Sequence, residues 1–169
     1  MTDVRSLVVT TATSAVPHRG QFTYSEGADR MAWLKAPGKL PVSCDCSSFA
    51  TMVYYMAGAP DPNGLGYDGQ GYTGTLLSNR SNVHVMAKDV LPGDLVVYGG
   101  GSGEHVAIVT QVTNGDIMTV SMGQQGDPWW CWVNAPKHND AKGLPVDGRT
   151  PQTFLRCLTN QVRPQIVWH

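Results

Sequence analysis

Four cysteines and five histidines are the residues of this chain best suited to act as nucleophile, base or metal ligand. A thiol becomes a good nucleophile when its pKa falls. A helix N-terminus lowers it with unpaired N–H groups and the positive end of the helix dipole. Cys46 stands where such a helix should begin. Phe49, Met52, Val53 and Met56 follow at i, i+3, i+4 and i+7, with Asp45 or Ser43 available as cap. Cys44 lies two residues earlier, in a presumed loop, without that advantage. Position alone also suits a thiol that is merely buried at a helix start. His105 is the histidine best placed to serve as base, because it opens a strand after the glycine-rich stretch 99–103, where a side chain can reach the mouth of a cleft. His18 and His138 lie in polar, loop-like surroundings, His84 in an unremarkable stretch, and His169 is the last residue. Cys44, Cys46 and His105 have zinc-ligand chemistry, but structural zinc sites pair such a Cys couple with a second pair elsewhere, and none occurs. No metal and no cofactor is therefore expected.

The elements that must position Cys46 and His105 follow from the pattern around them. An extended Thr/Val-rich start is expected, then a short helix capped by Ser25 through Asp29, Met31, Trp33 and Leu34, stopped by Ala36-Pro37-Gly38. The helix from Cys46 ends at Gly58 and Pro60. Residues 61–71 form a long surface loop, and 73–79 a short helix. The period then changes. Leu91-Pro92-Gly93-Asp94 turns into a strand over 95–98, a strand over 105–112 follows, and Asn114-Gly115 is a hairpin signal leading into a return strand from Ile117 to about Gln124. Helices first and antiparallel strands afterwards is the α+β pattern. Asp94 reads as a structural hydrogen-bonding residue of its turn.

Composition narrows the function classes. Charged residues are 15% of the chain, with 12 basic against 13 acidic and a net charge of −1, below the roughly 25% usual in soluble domains. That balance disfavours a nucleic-acid binder, which needs a basic excess. With 19 Gly and 11 Pro among 169 residues, the chain is loop-rich and its length suits one domain over 1–169. No apolar run approaches the roughly 18–20 residues that span a bilayer, so no membrane insertion is expected. Leu7-Val8-Val9 is too short for the apolar region of an export signal, and Asp3 spoils a positive leader. Synthesis in the cytoplasm is expected, where four cysteines are free thiols, ligands or catalysts rather than a disulfide scaffold.

Three ordered motifs carry a resemblance: Asp45-Cys46-Ser47-Ser48-Phe49, Leu91-Pro92-Gly93-Asp94-Leu95-Val96 and His105-Val106-Ala107-Ile108-Val109. Together they resemble the NlpC-type cell-wall cysteine peptidases and the related CHAP amidases, over about residues 24–126. The stretches 58–64 and 69–74 look like versions carried by actinobacterial phages. The resemblance implies a papain-like fold, with N-terminal helices carrying the Cys packed on an antiparallel sheet carrying the His. It also implies peptidoglycan as substrate and catalysis by Cys46, His105 and a polar third residue, in an endolysin-like or tail-associated lysin that reaches the wall after release or delivery. The alternative is a non-catalytic wall-binding or virion-structural module of the same fold.

The third residue is where the sequence departs from these relatives, which place His, Asn, Gln or Glu on the strand after the catalytic His. A two-residue turn at Asn114-Gly115 sets Thr113 opposite Asp116 and His105 opposite Gln124. Directly opposed residues share a face, so Gln124 is the expected orienting residue, its amide oxygen accepting the imidazole N–H. Ser121 then points to the other face, and is the alternative if a bulge shifts the register. Tyr24 resembles a tyrosine that borders the cleft in relatives, and with Tyr72 and Trp129 it is a candidate substrate-binding residue. Trp129, Trp130 and Trp132 flank Cys131, and packing at the core or lip suits them better than stacking on glycan.

Overall fold

The computed structural model describes residues 3–157 and 160–169. The chain begins with a helix, α1 (Val4–Ala15), where an extended segment was expected. Thr and Val favour strands only as far as packing allows. Here Val4, Val8, Thr11, Ala12 and Ala15 recur at helical spacing and are all buried, and Asp3 caps the first turn by accepting the Arg5 N–H at 3.2 Å. Strands β1 (Phe22–Tyr24) and β2 (Val42–Cys44) pair in parallel. Between them the expected short helix forms as a 3-10 helix, Ala28–Lys35, with Gly27 at its cap. Ser25 instead accepts the Gly27 N–H at 3.1 Å and donates to Asp29.

Helix α2 (Cys46–Met56) runs as its periodicity requires, but nine of its eleven residues are buried, so it is a central helix rather than a half-exposed one. It stops at Gly58, whose φ of +76° and closeness to the Arg163 carbonyl leave no room for a Cβ. Helix α3 covers Thr73–Ser78. The remaining strands are β3 (Asn82–Val85), β4 (Leu95–Tyr98), β5 (His105–Thr113), β6 (Asp116–Ser121), β7 (Trp129–Trp132) and β8 (Gln152–Cys157). They form one antiparallel sheet in the order β3-β8-β4-β5-β6-β7. The architecture is the expected papain-like α+β one. Among the described residues no helix is long and apolar enough to cross a membrane.

Strand alternation splits the sheet's side chains between two cores. Val97, Val106, Ile108, Val120, Met122 and Leu155 join α1 and α2 in the larger core. Val96, Tyr98, Ala107, Val109 and Phe154 form a smaller cluster on the opposite face. The β5–β6 hairpin turns at Asn114-Gly115, both at positive φ, as expected. Its register then departs from the simple one. Thr113 faces Asp116 and Gln111 faces Met118, but Val109 faces Thr119, so Thr110 is an extra residue on β5. Such a bulge moves every later residue of the partner strand to the other face.

Asp94 fastens the two halves together. Its fully buried carboxylate accepts from Arg5 of α1 at 2.7 Å, from Arg156 of β8 at 2.8 and 3.1 Å, and from the Leu91 N–H at 2.9 Å. Removing one member of a buried ion pair strands the others, typically at about 3–5 kcal/mol. Asp94→Ala is therefore expected to lower the unfolding free energy by that amount in a urea titration. Arg5→Ala, at a partly exposed position, should cost clearly less.

Candidate active site

The α2 N-terminus needs an acceptor for its unpaired N–H groups, because the helix behind it is buried. Asp45 supplies it, accepting the Ser48 N–H at 2.7 Å and the Ser47 hydroxyl at 2.9 Å. A carboxylate beside Cys46 disfavours a thiolate there, and Arg30 offsets it. Its guanidinium meets Asp45 at 3.1 Å, donates to Ser47 Oγ at 3.3 Å, and donates to the Gly71 carbonyl at 2.6 Å. Arg30 thus ties the 61–71 loop to the cap. Trp33 adds a buried hydrogen bond to Ser48 Oγ at 3.0 Å.

Cys46 is partly buried and free of disulfides. Burial pushes its thiol up to about 11, and the Asp45 charge adds to this. The N–H groups of Val106, Ser47 and Cys46 itself act in the opposite direction. The Val106 contact places the thiol at the residue that follows His105 in β5. Cys44, one strand position before the cap, is fully buried in the larger core. Among the described residues no group of three or more His, Cys, Asp or Glu is arranged to hold a metal ion.

His105 is only 7% exposed. Its ring stacks on Tyr98, directly across the β4–β5 pair, at 5.8 Å between centroids. Burial lowers the imidazole to about 4, with the Arg149 charge acting in the same direction and Asp147 opposing it. Its Nε2 lies 3.1 Å from Ser121 Oγ. The bulge at Thr110 is the cause, since it puts the odd-numbered residues 121 and 123 on the His105 face. The expectation for Gln124 is therefore corrected. Gln124 is exposed and does not bond to His105; its backbone N–H donates to Asp127 at 3.2 Å. A serine hydroxyl can hold the ring in place as donor or acceptor, but it brings no charge to stabilise an imidazolium.

Tyr24 lies close enough to Cys46 for the thiol's charge to help push its hydroxyl pKa up, after burial and the bond to Glu26. Gln125 ties this wall to the β6–β7 connection, accepting the Tyr24 N–H at 3.0 Å. Tyr72 is exposed at the start of α3, next to the Gly71 carbonyl that Arg30 holds. Trp129 sits on the far side of His105, where it lines a cavity of about 380 Å³ with His105, Ser121, Asp127, Trp130 and Arg149. Sequence reasoning passed over Arg30, Tyr98 and Asp127. Only Tyr98 left a signal, as the last strand residue before the loop that leads to His105.

The structure places a partly buried thiol and a buried imidazole on adjoining elements, with burial favouring the neutral form of each. The model of the CHAP domain matches residues 36–126, more than half of the chain. No curated protein and no solved structure matches it.

Two measurements check the electrostatics. Between pH 6.5 and 4 the unfolded chain binds a proton that the folded imidazole refuses. The corresponding stability, about 3 kcal/mol, is thus complete above pH 6.5 and lost as pH falls to about 4. Denaturant titrations across this window should show the loss in the parent and a much smaller one in His105→Asn. Separately, Arg30→Met leaves Asp45 uncompensated, so the pH profile of Cys46 alkylation by iodoacetamide should move to higher pH. Arg30→Lys should restore part of the shift.

Proposed function

The chain belongs to the CHAP-domain family, and on that premise we propose that it hydrolyses an amide bond of peptidoglycan through Cys46, His105 and Ser121. Family membership carries the general activity, hydrolysis of peptidoglycan. The thiol mechanism rests on one observation above the others: the thiol at the α2 N-terminus lies against the N–H of Val106, the residue that follows His105, whose imidazole meets Ser121. Because thiol and imidazole are both neutral, His105 takes the thiol proton as sulfur attacks the carbonyl. The Cys46 N–H stabilises the oxyanion that forms. The imidazolium then protonates the departing amine, leaving a thioester on Cys46. A water deprotonated by His105 attacks the thioester, the carboxylic acid leaves, and the thiol recovers its proton.

Within this reading the chain is an endolysin-like or tail-associated lysin, brought to the wall after synthesis. The supporting observation is the motif likeness over 58–64 and 69–74. A near-neutral chain exerts little pull on an anionic polymer, so groove shape and the aromatic walls at Tyr24, Tyr72 and Trp129 select the substrate. A non-catalytic wall-binding module is the second reading, favoured by the uncharged Ser121 beside His105.

Incubation with purified sacculi, read by the masses of released fragments, separates the two. Release should be insensitive to chelators, stopped by thiol alkylation and abolished in Cys46→Ala and Cys46→Ser, while Cys44→Ser retains it if folded. His105→Ala should lose about 10²–10⁴-fold and Ser121→Ala up to about 10-fold, with Gln124→Ala close to the parent. No release from any wall preparation with Cys46 reduced would leave the binding module.

A further inference from the structure

The cavity beyond His105 is built largely from residues outside the family match. Asp127, Trp129, Trp130, Asp147 and Arg149 all line it, and all follow residue 126. Its charged groups are unevenly paired. The Arg149 guanidinium is engaged by Asp147, with Nε at 3.0 and 3.1 Å from the two carboxylate oxygens and Nη2 at 2.5 Å. Asp127 has no such partner. Its Oδ2 accepts the Gly123 and Gln124 N–H groups at 2.8 and 3.2 Å, while Oδ1 makes no hydrogen bond among the described residues. The charge of Arg19 acts on it, but Arg19 lies over the Trp129 ring at 4.1 Å without a hydrogen bond to Asp127.

Gly123 keeps the space in front of this carboxylate open. A Cβ there would stand 3.2 Å from the imidazole Cε1 and 3.5 Å from Asp127 Oδ2. The space that a side chain would fill is therefore bordered by both the imidazole and the Asp127 carboxylate. Trp129 and Trp130 meet edge-to-face at 5.1 Å beside it and offer apolar surface for an alkyl chain. An unpaired carboxylate bordered by aromatic rings suits a compact cation on an aliphatic stem.

We propose that this cavity is a subsite for a primary ammonium group of the peptide substrate, the side-chain amine of a diamino acid, with Asp127 as its specificity-determining partner. The proposal rests on the peptide-hydrolase reading above for its substrate class, and on the cavity alone for its ligand chemistry. The Asp127–ammonium contact would hold the stem peptide beside His105.

A binding experiment separates it from the chemistry. Cys46→Ala, which cannot form a thioester, is titrated calorimetrically with a soluble stem peptide carrying a free side-chain amine and with the same peptide acetylated on that amine. The free amine should bind about 10-fold more tightly, the preference should fade with added salt, and Cys46→Ala/Asp127→Asn should lose it. Equal affinity for the two peptides, binding of neither, or a preference that survives Asp127→Asn would overturn the proposal. Acetylating the ligand needs no folded variant beyond Cys46→Ala, so misfolding of the Asp127 variant leaves the comparison intact. Turnover by the parent chain is scored separately: an amine preference without hydrolysis would sink the thiol mechanism and keep the subsite.

Discussion

The structure depends on how one buried helix end is satisfied. Helix α2 is almost wholly enclosed, so its first N–H groups cannot turn to water, and an unsatisfied buried donor is expensive. Asp45 resolves this from within the chain, and its oxygen at 2.7 Å from the Ser48 N–H sets where α2 starts. That choice has an electrostatic cost, because the cap stands one residue before Cys46. Arg30 answers it from the 3-10 helix, and by holding the Gly71 carbonyl it also brings in the glycine-rich loop. The cap, its counter-charge, the first serines of α2 and the loop are one hydrogen-bonded unit next to Cys46.

On the sheet side, the determining feature is the extra residue at Thr110. With it, His105 finds Ser121 and Gly123 on its own face; without it, the even-numbered residues of β6 would be there. The result is a base held by a neutral hydroxyl and stacked on Tyr98, in surroundings that keep the ring uncharged. Burial favours the neutral form of both the Cys46 thiol and the imidazole, so in the proposed reaction the proton moves during attack rather than before it. This places more of the work on positioning, which the Asp94 ion pairs support by locking α1 to β4 and β8.

The chain also divides by origin of its parts. The family-matched stretch supplies the helix start, the PGD turn and the β5–β6 hairpin, and so carries Cys46, His105 and Ser121. The outer strand β7 and the segment leading to β8 follow that stretch, and they wall the cavity on the far side of His105. The residues proposed for chemistry and for selection thus come from different parts of the chain.

Local rules settle a good deal of this protein. The 3.6-residue recurrence after Cys46, the Asn114-Gly115 turn and the Pro-Gly-Asp turn each depend on a few neighbouring residues, so α2, β4 and the β5–β6 hairpin are legible in the sequence, as are the places of Cys46 and His105. The start of the chain is not, because Thr and Val prefer strands until α1 finds a core to pack against. Nor is β8, whose pairing partners β3 and β4 lie far back along the chain. Gln124 shows the limit most clearly. Side chains alternate with a period of two, so a single bulged residue exchanges the faces. Whether Thr110 bulges depends on how the whole hairpin packs against α1, α2 and the neighbouring strands. The sequence alone could point to Cys46 and His105; only the packed sheet could decide that Ser121, and not Gln124, meets the imidazole, and that Asp127 stands across Gly123 from it.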